Sequence, residues 1–344
     1  MSYFVAPLRA KLRHAPCARR RQRGLSLVEL MIAITLGMVA VAGAISIYLA
    51  NRSSYKLVEG AARVQENARF AMEFMGRDLR EAGGIVCGGN LVQENVLTSS
   101  QKAEWWSDWS TGLKGYGSSP NNAAEMPTNA LAKFGAAVDS RKTGTDAVII
   151  WSASTASPSV LTQDSSGTNF TVYPAQTAST GSVLTACDDA RVSTFSINQA
   201  ATTTVIAAQT PTTSIKKGGV VNKLNASAWY ICVRQNAPSL YSLCREGLGG
   251  SVLGPVSSAQ EILENVTNMQ ITYLLGDGNG TPTASAYADG PTYNTWTSAD
   301  WAKVQAVRVV LTLATPDNVA TSSGASTPLS QNFAFTVALR RRLP

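Results

Sequence analysis

The chain has 344 residues, of which 44% are hydrophobic and 15% charged, and its formal net charge is +7. Residues 1–24 carry seven Lys or Arg and no acid, and the rest of the chain carries 22 basic and 22 acidic residues. The positive charge is therefore concentrated in a short leader, which is typical of a targeting signal and excludes a broad phosphate-binding surface. We predict that the protein does not bind nucleic acid.

The only histidine, His14, lies in this leader. The remaining chain therefore cannot use Ser–His or Cys–His catalysis, and it cannot ligate a metal through imidazole. No glycine-rich phosphate loop follows a predicted strand, and no pair of carboxylates lies in a recognisable motif. We predict that the protein is not an enzyme and uses no cofactor.

An uncharged, apolar run extends from Leu30 to Leu49. As a helix it is about 30 Å long, which matches the hydrocarbon thickness of a bilayer. The arginine-rich leader predicts a cytoplasmic N-terminus, with the following domain across the membrane. A secretory signal peptide is one alternative, although its apolar region is shorter, roughly 7–15 residues. A plain membrane anchor is another, and it leaves the nearby Glu29 unexplained.

Glu29 is a carboxylate at the very start of this membrane segment. A charge in a membrane helix costs a few kcal/mol and usually has a partner. If the chain is cut after Gly24, the new amino group of Leu25 lies about one helical turn from Glu29. In an assembly of parallel helices, the amine of one chain can then pair with the carboxylate of its neighbour.

The helix is predicted to continue beyond the membrane as an amphipathic segment that ends at Gly83-Gly84, since no proline interrupts it. Charged residues between the apolar positions, Asp78 among them, are assigned to the solvated face. The following domain is expected to cover the apolar stripe. This stripe has spacings of three and four and comprises Leu57, Ala61, Val64, Ala68, Ala71, Met75 and Leu79.

Beyond Gly84 the composition changes to Ser, Thr, Gly, Asn and Val, and strand-like runs replace the helical pattern. No helix alternates with these runs, so an antiparallel sheet is predicted. The predicted strands are 147–151, 170–173, 192–197, 204–207, 229–233, 240–244, 269–274, 304–313 and 333–339.

Two loops carry candidate functional residues. Trp105, Trp106 and Trp109 lie in a long loop, 98–145, where they either form an exposed contact patch or pack inward and hold the loop. The second loop, 276–280, contains Asp277 and Asn279 and is followed by Asp289. These oxygen ligands make a weak calcium candidate, because the spacing and terminal glutamate of an EF-hand are missing, and the alternative is an ordinary Asn-Gly turn.

Four cysteines lie beyond the membrane segment, on the side where disulfides form, whereas Cys17 lies in the leader. Cys232 and Cys244 flank a predicted hairpin that turns near 236–238, so a cross-strand disulfide between them is expected. This pairing leaves Cys87 with Cys187. Free buried thiols are the alternative, and four cysteines allow three pairings.

The junction Gly24-Leu25-Ser26-Leu27-Val28-Glu29 resembles the processing signal of type IV pilins. That resemblance implies cleavage between Gly24 and Leu25 by a prepilin peptidase and methylation of the Leu25 amine. Leu25 stands where phenylalanine is more usual, and the leader is long for the family. Small residues of the membrane helix would permit close packing with neighbouring helices, namely Gly37, Ala40, Gly43 and Ala44.

Later segments resemble PilW-type minor pilins, namely 74–84 with Cys87, 265–273, 304–311 and 335–340. The implied fold is α+β and pilin-like, with a long N-terminal helix, first transmembrane and then amphipathic, packed on an antiparallel β-sheet head. The implied parts are a cleaved leader (1–24), a transmembrane assembly helix (25–50), an amphipathic helix (51–84) and a periplasmic head (85–344).

The resemblance implies a low-abundance subunit that helps to prime pilus assembly and lies at or near the fibre tip. Its implied partners are other minor pilins, the major pilin, the prepilin peptidase, the inner-membrane assembly platform and a tip adhesin. A J-type pseudopilin of type II secretion is the nearest alternative, since it shares the helix exit and the late strands. An anchored periplasmic binding protein or adhesin is an alternative of another class.

Overall fold

A computed structural model of the chain describes residues 24, 26–84, 92–107, 109, 111–117, 141–154, 157–200, 203–212, 214–234, 237–248, 260–276, 287–289, 295–320 and 326–339. The chain divides into two compact units, Met1–Tyr55 and Lys56–Pro344. Helix α1 has 55 residues, Leu27–Glu81. Its N-terminal part belongs to the first unit. The second unit, the head, contains the rest of α1 and all described strands.

The C-terminal half of α1 buries the predicted apolar stripe from Val64 onward. Val64, Ala68, Ala71, Met75 and Leu79 are each at most 2% exposed. Burial of side chains at these spacings removes a continuous face of the helix from water, which stabilises the helix on the head. The stripe begins later than predicted, because Leu57 is 40% exposed.

The helix ends two residues before the predicted position. Gly83 takes a left-handed backbone, with φ of 68°, and the Gly84 N–H donates to the carbonyl of Glu81 at 2.8 Å. Glycine adopts this conformation without the steric cost that a Cβ brings. The Gly83 N–H donates to the carbonyl of Trp151 at 2.8 Å, so the end of the helix is bonded directly to the head.

The head contains fourteen strands and two short helices among its described residues. They are β1 (Val92–Asn95), α2 (Ser99–Lys102), β2 (Leu113–Tyr116), β3 (Ala147–Ala153), β4 (Ser159–Gln163), β5 (Asn169–Tyr173), β6 (Val183–Cys187), β7 (Arg191–Ala200), β8 (Thr204–Ala207), β9 (Val220–Arg234), β10 (Ala237–Gly247), β11 (Gln260–Glu264), β12 (Val266–Leu275), α3 (Ser298–Ala302), β13 (Val304–Ala320) and β14 (Ser326–Ala338). Every predicted strand is present. Five others, β1, β2, β4, β6 and β11, were not predicted.

The strands form one sheet of eleven and one of three. The main path of the larger sheet runs β1-β7-β8-β5-β4-β9-β10-β11, with β2 joined through β3, and with β3 and β6 each paired to β9. The smaller sheet has the order β12-β13-β14. The α+β class and the antiparallel character are confirmed. One pair departs from the prediction, since β1 runs parallel to β7.

Strand β3 is buried on both faces, which explains its continuous apolar sequence. Val148 and Ile150 belong to the core that α1 covers, and Ile149 and Trp151 belong to a second core on the opposite face. Buried strands lose the alternation of apolar and polar residues for this reason. A third core lies among β4–β8, where the rings of Phe170 and Phe195 stack at 5.2 Å.

The tryptophans of the long loop pack inward. Trp105, Trp106 and Trp109 are 2%, 5% and 8% exposed and belong to the core behind β3. The indole N–H of Trp151 donates to the Trp106 carbonyl at 2.9 Å, which ties this loop to the sheet. The contact-patch interpretation is therefore wrong for these three residues, and the packing interpretation is confirmed.

The smaller sheet is bonded to the larger one along the outer edge of β12. The Asp146 N–H donates to the Met269 carbonyl at 2.9 Å, and the Ile271 N–H donates to the Asp146 carboxylate at 2.7 Å. The Lys142 ammonium donates to the Thr267 carbonyl at 2.8 Å. Burial lowers the pKa of Lys142 below its usual value, because it disfavours the charged form.

Candidate functional site

Ser26 caps the start of α1. Its side-chain oxygen accepts the Glu29 N–H at 3.2 Å, and its carbonyl accepts the Leu30 N–H at 3.1 Å. A serine in this position satisfies a backbone donor that has no partner within the helix. The helix therefore begins at Leu27, immediately after the predicted cleavage junction. Gly24 is exposed, whereas Leu25 lies outside the described residues.

Glu29 lies in the first turn of α1 and is exposed. A carboxylate at this position is favoured by the partial positive charge of the helix N-terminus. Among the described residues no ion pair includes Glu29. The carboxylate is therefore accessible to a group from another chain, close to the position at which a new amino terminus would begin.

The part of α1 that follows Glu29 is long and apolar enough to cross a membrane. Its large apolar side chains are exposed, for example Leu36 at 64% and Val39 at 70%. The hydroxyl of Thr35 donates to the carbonyl of Ile32 at 2.9 Å, and that of Ser46 donates to the carbonyl of Gly43 at 2.8 Å. These two hydroxyls are thus satisfied within the helix, as a hydrocarbon environment requires.

Four small residues lie on the same side of α1 as Glu29. At about 100° per residue, Gly37, Ala40, Gly43 and Ala44 fall with Glu29 inside an arc of about 120° centred on Ala40. A Cβ built on Gly37 or Gly43 meets no atom within 4 Å, and Ala40 and Ala44 are exposed. This arc offers a shallow surface on which another helix can approach closely.

A different group of residues fixes α1 to the head. The carboxylate of Asp78 accepts the indole N–H of Trp229 at 2.9 Å and the guanidinium N–H of Arg245 at 2.8 Å. The Asp78 side chain is 15% exposed, so its assignment to the solvated face was wrong. The sequence signal that could have identified it is its position beside Leu79, next to the apolar stripe.

Cys232 and Cys244 form a disulfide across the β9–β10 hairpin, as predicted, with Cα atoms 5.8 Å apart. Tyr230, not Cys232, is the direct neighbour of Cys244 in the strand register, so the bridge is diagonal. Cys187 is also disulfide-bonded. Its predicted partner, Cys87, lies outside the described residues, so that pairing remains a prediction.

The calcium candidate cannot be assembled from the described residues. Asp277 and Asn279 lie outside them. Asp289 is exposed and follows Ala288, which pairs with Tyr273 of β12 through two backbone hydrogen bonds of 2.8 and 3.0 Å. Within the described part of the chain, no group of three or more His, Cys, Asp or Glu residues is arranged to hold a metal.

Two known families match the chain, one near its N-terminus and one over its C-terminal part. Residues 19–45 match the prokaryotic N-terminal methylation motif, which covers the junction, the helix cap and the small-residue arc. Residues 229–341 match the family described as type IV pilus-assembly protein W. These two matches support a type IV pilus pilin of the PilW type.

The PilW match begins at Trp229, which donates to Asp78, and includes Arg245 and the Cys232–Cys244 disulfide. It also contains the whole three-stranded sheet. Neither family match covers residues 46–228. No curated protein and no solved structure matches the chain. The methylation motif and the apolar N-terminal helix support anchoring in a membrane, and this helix is the one candidate span among the residues that the structure describes.

Proposed function

We propose that this chain is a minor pilin that helps to prime type IV pilus assembly and is located at or near the fibre tip. The observation that carries the proposal is the junction Gly24–Glu29. It lies at the capped start of an exposed apolar helix and is part of the matched methylation motif. A J-type pseudopilin shares that junction, but the match to the PilW family over 229–341 favours a pilus subunit.

Before assembly, the chain would cross the inner membrane once. The basic leader 1–24 would remain cytoplasmic, the helix 25–50 would span the bilayer, and residues 51–84 and 85–344 would form the periplasmic part. The prepilin peptidase would cut between Gly24 and Leu25 and methylate the new amine. The subunit would then leave the membrane and enter the fibre on the cell surface.

In the fibre, the Leu25 amine of one subunit would pair with the Glu29 carboxylate of its neighbour. Two opposite charges in an apolar bundle neutralise each other, and the pair fixes how far one helix is displaced along the next. The arc of small residues on the same side as Glu29 would let the two helices approach closely. The assembly platform, other minor pilins, the major pilin and a tip adhesin are the proposed partners.

The experiment is a Glu29→Gln substitution in the chromosomal gene. Gln keeps the size of the side chain and removes its charge, so cleavage should continue while the amount in sheared pili falls. We expect a loss of about tenfold, which corresponds to about 1.4 kcal/mol of pairing energy. Processing is measured from the N-terminal sequence and incorporation from immunoblots of sheared fibres.

The matched control is Glu66→Gln, which removes another exposed carboxylate of the same helix. It should leave both processing and incorporation unchanged. Wild-type amounts of the Glu29→Gln protein in sheared pili would contradict the pairing. Absence of the wild-type protein from the fibre would contradict the proposed function as a whole.

A further inference from the structure

A pocket of about 110 Å³ lies in the head, in the part of the chain that neither family match covers. Its described lining residues fall between 154 and 223. They come from three segments: the connection between β3 and β4, the residues that follow β5, and the paired strands β6 and β9. The buried part of the lining belongs to the third core and not to the core that α1 covers.

The inner lining of the pocket is apolar. Leu184 of β6 lies opposite Lys223 of β9 in the strand register, and opposite residues of an antiparallel pair extend to the same face of the sheet. Val221, two residues before Lys223, lies on that face too. Leu184, Val221 and Ala178 are 1%, 2% and 8% exposed. A ligand in the pocket would therefore contact apolar side chains that the third core holds in place.

Hydrogen bonds hold the walls of the pocket. The Ser154 N–H donates to the Lys223 carbonyl at 2.8 Å, and the Val221 N–H donates to the Pro158 carbonyl at 2.9 Å. Both bonds join β9 to the connection between β3 and β4. In the segment after β5, the side-chain oxygen of Gln176 accepts a backbone N–H at 2.5 Å. Because the fold itself holds these walls, binding requires little rearrangement.

The pocket opens to solvent where the segment after β5 forms its rim. Pro174, Ala175 and Thr177 line the pocket and are exposed. A small molecule can therefore enter from the surface without opening of the third core.

Charge restricts the class of ligand. Among the described residues that line the pocket, Lys223 alone is charged, and none is Asp or Glu. Lys223 is half-buried, and no ion pair within the described part of the chain includes it. A lysine can lay its stem along an apolar wall and keep its ammonium available to an anion. The lining thus favours a ligand with one negative charge.

Size and polarity restrict the ligand further. An apolar cavity of about 150 Å³ holds benzene, so this pocket has room for roughly four to six non-hydrogen atoms. An inorganic anion would lose its hydration against the apolar lining, with a single ammonium to replace it. A short aliphatic acid instead places its alkyl chain against Leu184 and Val221 and its carboxylate at Lys223.

We propose that this pocket binds a free, short aliphatic monocarboxylate, with its carboxylate paired to the ammonium of Lys223. An acid of four carbons fills the pocket by itself, whereas a glutamate side chain of another protein also requires its backbone to approach the rim. The proposal does not rest on the proposed function, because its lining residues lie outside both family matches. Failure of either one leaves the other intact.

The test measures binding of acetate, propionate and butyrate to the full-length protein in detergent by ligand-observed NMR, with empty micelles as the blank. We expect a dissociation constant of about 1 mM for butyrate. Affinity should rise about fourfold with each methylene that is buried. Butyramide has the same size without the charge and should bind about tenfold more weakly than butyrate.

This series uses the wild-type protein, so it needs no variant to fold. Absence of saturable butyrate binding, equal affinities of the three acids, or equal affinities of butyrate and butyramide would overturn the proposal. A capped glutamate, N-acetylglutamate N-methylamide, is measured beside them and should bind more weakly than butyrate. Tighter binding of the capped glutamate would overturn the assignment to a free acid.

A matched set of lysine variants locates the site. Lys223→Met keeps the stem and removes the charge, so butyrate binding should weaken about tenfold. Lys223→Arg keeps the charge and should retain most of the affinity. The control is Lys217→Met, which removes an exposed lysine outside the described lining and should leave binding unchanged. Wild-type affinity in Lys223→Met, or an equal loss in Lys217→Met, would contradict the proposed site.

Discussion

Gly24 stands in open space, since a methyl group built on it meets no other atom within 4 Å. A side chain at this position is therefore not expected to disturb the packing of the described residues. If a peptidase recognises the junction, as proposed, a substitution here would separate that recognition from the stability of the head.

We expect Gly24→Ala, and any bulkier residue, to block cleavage while the protein still accumulates in the inner membrane. The physical reason is that a peptidase pocket closed around glycine has no room for a Cβ. N-terminal sequencing is the measurement, and the wild-type mature chain should begin at Leu25. A wild-type start at any other residue would refute the assignment of the junction.

Asp78 shows what side-chain patterning alone misses. It lies between charged residues, Arg77 and Arg80, so its sequence environment is that of a solvated helix face. In the fold it accepts two hydrogen bonds, from Trp229 and Arg245, which are more than 150 residues away in the chain. Its position beside Leu79 could have indicated that it lies next to the apolar stripe, but partners at that separation leave no local pattern, so Trp229 and Arg245 could not be predicted from spacing.

Replacing Asp78 with Ala should lower the free energy of unfolding by about 2–3 kcal/mol, because it leaves a partly buried guanidinium and an indole N–H without their acceptor. Glu59→Ala is the control. It breaks only an exposed ion pair with Arg63, so it should cost less than about 1 kcal/mol. Thermal unfolding of the detergent-solubilised proteins measures both values. An equal cost for the two variants would contradict the docking role of Asp78.

At the scale of the elements, the hairpin of β9 and β10 was predicted because apolar residues, cysteines and a turn signal coincide there. Strand β6 was missed for a physical reason. All five residues of β6, Val183–Cys187, are buried, and they include Thr185 and Ala186, so polarity does not alternate along the strand. Strand β1, Val92–Asn95, is four residues long and mostly polar, so its parallel pairing with β7 had no signal in the sequence.

The disulfide of this hairpin gives a prediction at the same scale. The double variant Cys232→Ala/Cys244→Ala should lose about 3 kcal/mol of stability, the entropy expected for closing a loop of this size. Thermal unfolding of wild-type and variant protein measures the loss. Matched stabilities of the two would contradict the expectation.

Peptide mapping under non-reducing conditions tests the pairing directly. It should recover Cys232 linked to Cys244, and Cys87 linked to Cys187 as the proposed second bridge. A peptide that links Cys87 to Cys232 would overturn both assignments.

At the scale of the whole molecule, three aspartates in separate parts of the head have pKa values below the usual 3.8. The hydroxyl of Ser166 is the largest cause for Asp164, and the Thr297 N–H is the largest cause for Asp300. Burial acts to raise the pKa of Asp188, but backbone N–H groups of Lys216, Ala190 and Arg191 outweigh it and lower the pKa overall. The folded head therefore holds these carboxylates in their charged form.

A depressed folded-state pKa contributes stability above the unfolded-state pKa, and this contribution disappears as pH falls through the folded-state value. This contribution to the stability of the head should be present from neutral pH down to about pH 4 and should be lost progressively below that. Unfolding temperatures measured across this range check the expectation. Asp188→Asn should weaken the pH dependence, and an unchanged profile in that variant would exclude Asp188 as a contributor.

The cap formed by Ser26 also bears on the proposed cleavage between Gly24 and Leu25. Proteolytic enzymes bind their substrates as extended chain, and a peptide bond inside a helix is shielded by its own hydrogen bonds. By fixing the first helical residue at Leu27, Ser26 leaves the bond between Gly24 and Leu25 outside α1. One hydroxyl would thereby separate the leader that we propose is removed from the helix that we propose is retained.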